Sequence, residues 1–243
     1  DNQLKQLEMQ FNATKQRLGN KFGTKKFIVY FQSFTNTYAP ISTLKALYEK
    51  ALSFDNVIGL SIGTRTDCVT EEILDYLVDL SKTKEIWVEY GIQSFYDETL
   101  VRVNRGDSVS NMKHWIKRTK EKGLNVCGHL IYGLPDETQE MMLDTFRQTV
   151  ELNVDSIKFH PLYVVENTLL TNEFKKGKFT PISEELYIDT VVKSIVNLPS
   201  NISVQRITAG IDDSTLLSPE WCRDKHIQMK NIRLALEKEG FNY

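Results

Sequence analysis

Residues 85–108 read EIWVEYGIQSFYDETLVRVNRGDS. The first part, Glu85–Ile92, is a β-branched and aromatic run of strand length, broken by one carboxylate, Glu89. The remainder is polar and closes a short helix at Asn104-Arg105-Gly106. Working outward, similar runs recur on both sides: KFIVYFQ (Lys26–Gln32), VIGLSIG (Val57–Gly63), LNVCGHLI (Leu124–Ile131), DSIKFHPLY (Asp155–Tyr163) and ISVQRI (Ile202–Ile207). Helical spacing fills the intervals, with Leu44, Leu47, Tyr48 and Ala51 at i, i+3, i+4, i+7. Ile73, Leu77 and Leu80 repeat that pattern to within one place, as do Leu143, Phe146 and Val150, and Val191, Val192 and Ile195. Ser42, Thr70, Asp136, Ser183 and Ser218 are expected N-caps, with Pro219 at the first helical position; Gly123 and Gly240 are expected stops.

Strand and helix alternating in units of about 30 residues imply right-handed crossovers and a parallel sheet covered by helices. No GxGxxG follows the first strand, which disfavours a dinucleotide-binding sheet, and no GxxxxGK[ST] exists. A whole or partial (β/α) barrel remains. In that architecture the chemistry sits at the C-terminal ends of strands.

Composition narrows the class further. With 30 Lys+Arg against 32 Asp+Glu, a net charge of -2 and 41% hydrophobic residues over 243 positions, the chain is neither disordered nor a basic nucleic-acid coat. No apolar run reaches the roughly 18 residues of a membrane span. Cys68, Cys127 and Cys222 form no CxxC pair, so neither a zinc site nor a disulfide framework is legible, and a reducing cytoplasmic setting is expected. The sequons at Asn12 and Asn201 then read as accidental. The chain opens at Asp1 inside a polar, helix-like stretch, Asp1–Asn20, and is expected to be a fragment.

The strand ends carry an unusual load of polar groups. Strand one runs into Gln32-Ser33-Phe34-Thr35-Asn36-Thr37, and strand two into Gly63-Thr64-Arg65-Thr66-Asp67. Strand three carries Glu89, Gln93 and Ser94; strand four carries His129 and ends at Tyr132-Gly133-Leu134-Pro135; strand five carries Lys158 and His160. A buried polar group left without a partner costs about 1–3 kcal/mol. These groups therefore either satisfy one another or face a polar ligand.

VEYGIQSFYDETLVRVNRGDS resembles the fourth-strand segment of radical S-adenosylmethionine (SAM) enzymes, closest to the branch of the Elongator catalytic subunit and oxygen-independent coproporphyrinogen oxidase. GTRTDCV resembles the third-strand stretch of the Elongator enzyme, and GLNVCGHLIYGLPDET the fifth-strand segment. IKFHPLYVVENTLL with FKKGKFTPISEELYIDTVVKSIVNLP resembles the sixth strand and its sequel. SPEWCRDKHIQMKNIRLALEKEG resembles the ending of YhcC/YtqA-like members, which lack an acetyltransferase domain. The likeness runs from about Lys26 to the end.

The resemblance implies an α/β fold, a partial parallel (β/α)6-type barrel whose first β/α unit is truncated. It implies residues 1–200 as that barrel and 201–243 as a strand and helix extension packed on it. It implies SAM as cofactor, with Gln93 and Arg105 holding its amino-acid part and ribose and Ile131 against adenine. Gln32, Thr35 and Asn36 stand where the family usually has a glycine-rich turn. Gly63 replaces a third-strand glutamate, for which Thr64 and Arg65 are stand-ins. Glu89 is either a ligand or one half of an internal ion pair with Lys158 or Arg65. His129, Lys158 and His160 either line a substrate cavity or are satisfied core groups. The family's [4Fe–4S] cluster uses a CxxxCxxC loop absent here, so its cysteines are expected ahead of Asp1, with Asp1–Asn20 as the helix after that loop. The implied reaction is reductive cleavage of SAM to methionine and a 5′-deoxyadenosyl radical that takes a hydrogen atom from substrate. Transfer RNA, through wobble uridine, is the implied substrate, and flavodoxin or ferredoxin the implied electron donor, with no membrane. Lys113–Lys122 and Lys175–Lys178 are either solvated faces or phosphate-binding surfaces. Two rival readings are a cluster-free degenerate barrel that binds RNA or protein, and an ordinary barrel lyase or hydrolase using Lys158.

Overall fold

The computed structural model describes residues 2–241. Its elements run α1 (Asn2–Phe22), β1 (Phe27–Phe31), α2 (Ile41–Leu52), β2 (Val57–Thr64), α3 (Glu71–Ser81), β3 (Glu85–Gln93), α4 (Asp97–Arg102), α5 (Val109–Glu121), β4 (Asn125–Tyr132), α6 (Gln139–Glu151) and β5 (Ser156–Pro161). The chain continues through β6 (Val164–Val165), α7 (Leu169–Lys175), α8 (Glu184–Val196), β7 (Ser203–Arg206), β8 (Leu216–Ser218) and α9 (Lys225–Lys238). The helix expected at the start is α1; Asp1 itself lies outside the described residues. Six strands join one sheet in the order β1-β2-β3-β4-β5-β7, the succession of a partial (β/α)6 barrel. The register is parallel in β1/β2, β2/β3, β4/β5 and β5/β7. All six expected strands are present, with ends shifted by a residue or two. The sequence pattern did not disclose the small antiparallel pair β6/β8. Two- and three-residue strands are too short to show a period.

The chain divides into two compact units, one made of residues up to Gly91 with His114–Val126, the other of Ile92–Lys113 with Cys127 onward. In the first, Leu44, Tyr48 and Ala51 of α2 and Ile73, Leu74 and Leu77 of α3 are buried with Leu60, Ile62, Ile86, Val88 and Tyr90. Each such aliphatic or aromatic side chain contributes about 1.5–3 kcal/mol by leaving water. Tyr90 joins β3 to α5 through Thr119, hydroxyl to hydroxyl at 2.8 Å.

In the second unit an aromatic stack covers one face of β4 and β5. Tyr132 lies 5.4 Å from Phe159 and 6.3 Å from Tyr187, and Trp221 lies 5.2 Å from Tyr187. The apolar residues of α6 were expected to bury Leu143 and Val150, but both are only half-buried; Met142, Thr145, Phe146 and Thr149 take the inward face. The reason is close approach. A Cβ on Gly128 would stand 3.1 Å from the Thr149 methyl, so this helix sits on β4 where β4 has no side chain.

Three helix starts differ from expectation. α2 begins at Ile41 after Pro40, not at Ser42. Asp136 does not cap α6, because it occupies φ 68° in a turn closed by Glu137 N–H to Leu134 O at 3.2 Å; Thr138 is the cap. Ser218 ends β8, Pro219 follows through a cis peptide, and Asp224 caps α9 instead. Thr70 and Ser183 cap as expected, and Gly123 and Gly240 stand at positive φ after their helices.

Candidate functional site

In the first unit the polar groups lie at the ends of β1, β2 and β3. Gly63 pairs with Glu89 in register, and Glu89 is 2% exposed and accepts a hydrogen bond from Ser61 Oγ. Asn36 binds the ends of two strands through its side chain. Its Nδ2 donates to Phe31 O and to Gly63 O, each at 2.9 Å, so one side-chain amide ties the ends of β1 and β2. Tyr48 donates to Asn36 O at 2.5 Å and fixes that loop, its own phenol pushed upward by burial.

Thr37 Oγ1 donates to Cys68 O at 2.7 Å and lies 2.5 Å from Thr64 Oγ1. Thr37 has one proton, so Thr64 is the donor of that pair and spends its hydrogen inside the loop. Arg65 forms a two-pronged pair with Asp67, at 2.7 and 2.6 Å, which holds the Asp67 carboxyl below its usual range. Gln32 is exposed and Thr35 half-buried.

In the second unit Gln93 is held at φ 68°, in a three-residue turn closed by Ser94 N–H to Ile92 O at 2.9 Å. A non-glycine residue at the centre of such a tight turn is strained and is held there by its surroundings. Ser94 Oγ donates to Glu137, whose carboxyl is raised by burial against the opposing hydrogen bonds of Ser94 and Thr99.

Arg105 is placed by the end of α4. Asn104 at φ 52° donates to Val101 O at 3.0 Å, and Arg105 N–H reaches Leu100 O at 2.8 Å, the two bonds of a Schellman cap. The position that usually folds an apolar residue back on the helix here holds an arginine only 9% exposed.

The register of β4 and β5 sets His129 beside Lys158 and Ile131 beside His160. Alternation gives these four one face of the sheet, opposite the Tyr132 and Phe159 aromatics. His160 faces the 5.2 Å-distant Tyr163 ring and bonds Pro161 O through Nδ1 at 2.8 Å. Burial first, then the nearby Arg206, His129 and Lys225, hold it down to about 4. It is therefore neutral at pH 7 with the proton on Nδ1, because a carbonyl only accepts, which leaves Nε2 as an acceptor. Gly133 at φ 90° closes β4, where a Cβ would stand 2.7 Å from Ile182.

The sequence did not single out Glu137, Ser61 or Arg206. A lone acid in a loop, a serine in a strand and one arginine near the end of another carry no spacing signal. Of the two basic runs, the first is engaged: Arg118 of α5 and Lys122 just after it hold Glu71 of α3 at 2.6 and 2.9 Å. The second run, Lys175, Lys176 and Lys178, is exposed.

Some of these groups suit SAM. An amide on a strained turn and a buried guanidinium fit a carboxylate and ribose hydroxyls, and Ile131 offers an apolar contact. The cysteines do not suit a cluster. No CxxxCxxC exists, Cys127 and Cys222 are buried, and burial pushes the Cys222 thiol up to about 12, far from a thiolate ligand.

The profile of the Radical SAM superfamily matches residues 6–149, and that of the Radical_SAM C-terminal domain residues 154–238. YtqA of Bacillus subtilis is 33% identical over 239 residues, covering 98% of this chain and 74% of that protein. A tRNA uridine(34) acetyltransferase of Methanocaldococcus infernus is 30% identical over 163 residues, 66% of this chain and 30% of that one. The solved structure of Methanocaldococcus infernus Elp3 superposes with a TM-score of 0.83 at 23% identity, over 97% of this chain and 60% of that chain. That likeness is one of fold, and it is the partial parallel barrel of the strand order. With the profile over more than half its length, the chain belongs to the radical SAM superfamily.

Proposed function

We propose that this chain is the SAM-holding part of a radical SAM enzyme that modifies transfer RNA at a wobble uridine. The observation that carries the SAM reading is the turn at Gln93, held at φ 68° ahead of the buried Arg105. Strain of that kind persists where the surroundings over-determine it, and it gathers at ligand sites. The tRNA reading is supported by the relative acting on tRNA uridine(34) and by the exposed lysines at the end of α7 and just beyond it.

Gln93 both donates and accepts toward the methionine part and ribose, Arg105 forks onto the carboxylate, and Ile131 lies against adenine. Thr64 and Arg65, tied to Thr37 and Asp67, shape the end of β2 rather than reach far. Gln32 and Glu89 complete that polar rim, and His129, Lys158 and His160 face the substrate. Held by Gln93, Arg105 and Ile131, SAM would supply hydrogen-atom abstraction chemistry, with a reduced [4Fe–4S] cluster as the source of the electron. The cluster is held by residues other than this chain's three cysteines, and an electron donor such as flavodoxin or ferredoxin belongs to the same reading.

The test is anaerobic reconstitution of the complete gene product with iron and sulfide, then SAM and a reductant, with and without tRNA. A brown protein that releases 5′-deoxyadenosine, faster with tRNA, is the expected result. A colourless product that binds no SAM overturns the reading and leaves a cluster-free binding module.

A further inference from the structure

The strand β7 carries a register shift that redirects one side chain. Ser156 pairs with Ser203 and Ile157 with Val204, but Lys158 pairs with Arg206, so Gln205 is an extra residue. Without it Gln205 would stand opposite Lys158. The shift gives Arg206 that place, on the face shared by His129, Ile131 and His160. Bulges of this kind re-aim side chains and are over-represented beside active sites.

Arg206 also differs from other arginines of the chain. Arg65, Arg102, Arg118, Arg147 and Arg223 each hold a carboxylate. Among the described residues none lies within ion-pair distance of Arg206. It is half-buried, and its charge acts on His160, Tyr163 and Tyr187. Lys225, at the start of α9, adds a second positive charge toward His160. The carboxylate next to it, Asp224, is committed to capping α9, at 2.8 and 3.1 Å from the His226 and Ile227 N–H groups. Register puts Arg206 and His160 on one face, with Lys225 near enough for its charge to act on His160, and no carboxylate pairs with Arg206 among the described residues. The two fixed positive charges, Arg206 and Lys225, disfavour each other unless an anion lies between them.

We infer that Arg206, Lys225 and His160 form an oxyanion subsite that takes a phosphate group of the substrate. The inference rests on reading this face as the substrate cavity and narrows the substrate to one carrying phosphate there. The guanidinium supplies the two-pronged contact, and Lys225 the point charge. His160 turns its Nε2 to the phosphate on taking up a proton, which the bound anion favours.

The probes are inorganic phosphate, uridine 5′-monophosphate, uridine, and a short uridine-containing RNA. The readouts are calorimetry and the His160 ring signals in heteronuclear NMR. Saturable binding of phosphate and the monophosphate, with uridine at least tenfold weaker, is expected. His160 should titrate at higher pH in the bound state. Arg206→Gln should weaken phosphate binding at least tenfold, and Arg206→Lys should restore part of it, with the melting temperature recorded for both. Tighter binding of the RNA than of the monophosphate assigns the subsite to a phosphodiester; the reverse assigns it to a free nucleotide. Equal affinity for phosphate in Arg206→Gln and the unaltered protein, or uridine binding as well as its monophosphate, overturns the inference. If SAM binding fails while phosphate binding persists, the radical SAM reading falls and the subsite stands.

Discussion

Gln93 is where one residue's backbone and its proposed role can be separated. At φ 68° glycine is more comfortable than glutamine, so Gln93→Gly should keep or raise the melting temperature. The same change removes the amide. We expect SAM affinity, measured by calorimetry on the anaerobic complete protein, to fall about tenfold, the loss of roughly one good hydrogen bond. Unchanged affinity would return Gln93 to a purely structural place in the turn.

His160 makes a prediction in pH at the same scale. Its folded value near 4 lies below the ordinary 6.5, so between those values the unfolded chain takes a proton that the native one refuses. Stability contributed by its neutral burial is complete above pH 6.5 and is lost as pH falls toward 4. The full difference is about 3 kcal/mol. Glu137, raised by burial, works in the opposite sense. Urea denaturation of the unaltered protein and His160→Gln between pH 7 and 4.5 isolates the histidine. The variant should show the shallower loss, and parallel curves would show that His160 is protonated in the fold.

At the scale of elements, the seating of α6 on β4 is tested at Gly128. A Cβ there meets Ile92 Cδ1 at 2.9 Å and the Thr149 methyl at 3.1 Å. Ile92 can swing its terminal methyl away, whereas a β-branched threonine on a helix has little freedom. Gly128→Ala should therefore cost about 1–3 kcal/mol in chemical denaturation. Adding Thr149→Ser removes the obstructing methyl and should return part of that loss. A double variant no more stable than the single one would mean that the helix, not the methyl, moves.

α3 and α5 show why a basic run is a weak sign of nucleic acid. Periodicity places Arg118 and Lys122 on an exposed face, but only packing brings Glu71 beside both. Those hydrogen bonds, Arg118 first and Lys122 second, hold the Glu71 carboxyl down to about 2. The run is thereby spoken for, and surface pairs of this kind stabilise little.

For the molecule as a whole, of the two basic runs the one left for a polyanion lies at the end of α7 and just beyond it. Replacing Lys175, Lys176 and Lys178 by alanine should weaken tRNA binding and lower the slope of log affinity against log salt by up to about three. Filter binding at several salt concentrations measures it, and an unchanged slope would exclude this surface. Among the described residues no helix is long and apolar enough to cross a membrane.

The amino-acid sequence by itself determined the alternation of strands and helices. Periods of two and of three to four residues are local properties, and runs such as VIGLSIG and EIWVEYGI carry them within a few residues. It also placed Gln93, His129, Lys158 and His160 on or just after strands, and Arg105 at the close of a short helix. Only the tertiary structure decided what those groups meet. Asn36 spans two strand ends with its amide, and Thr149 is buried against β4 because β4 lacks a side chain at Gly128. Arg206 joins His160 because one extra residue in β7 reverses which side chain faces Lys158. Register is a relation between segments far apart in the chain, and no single segment contains it.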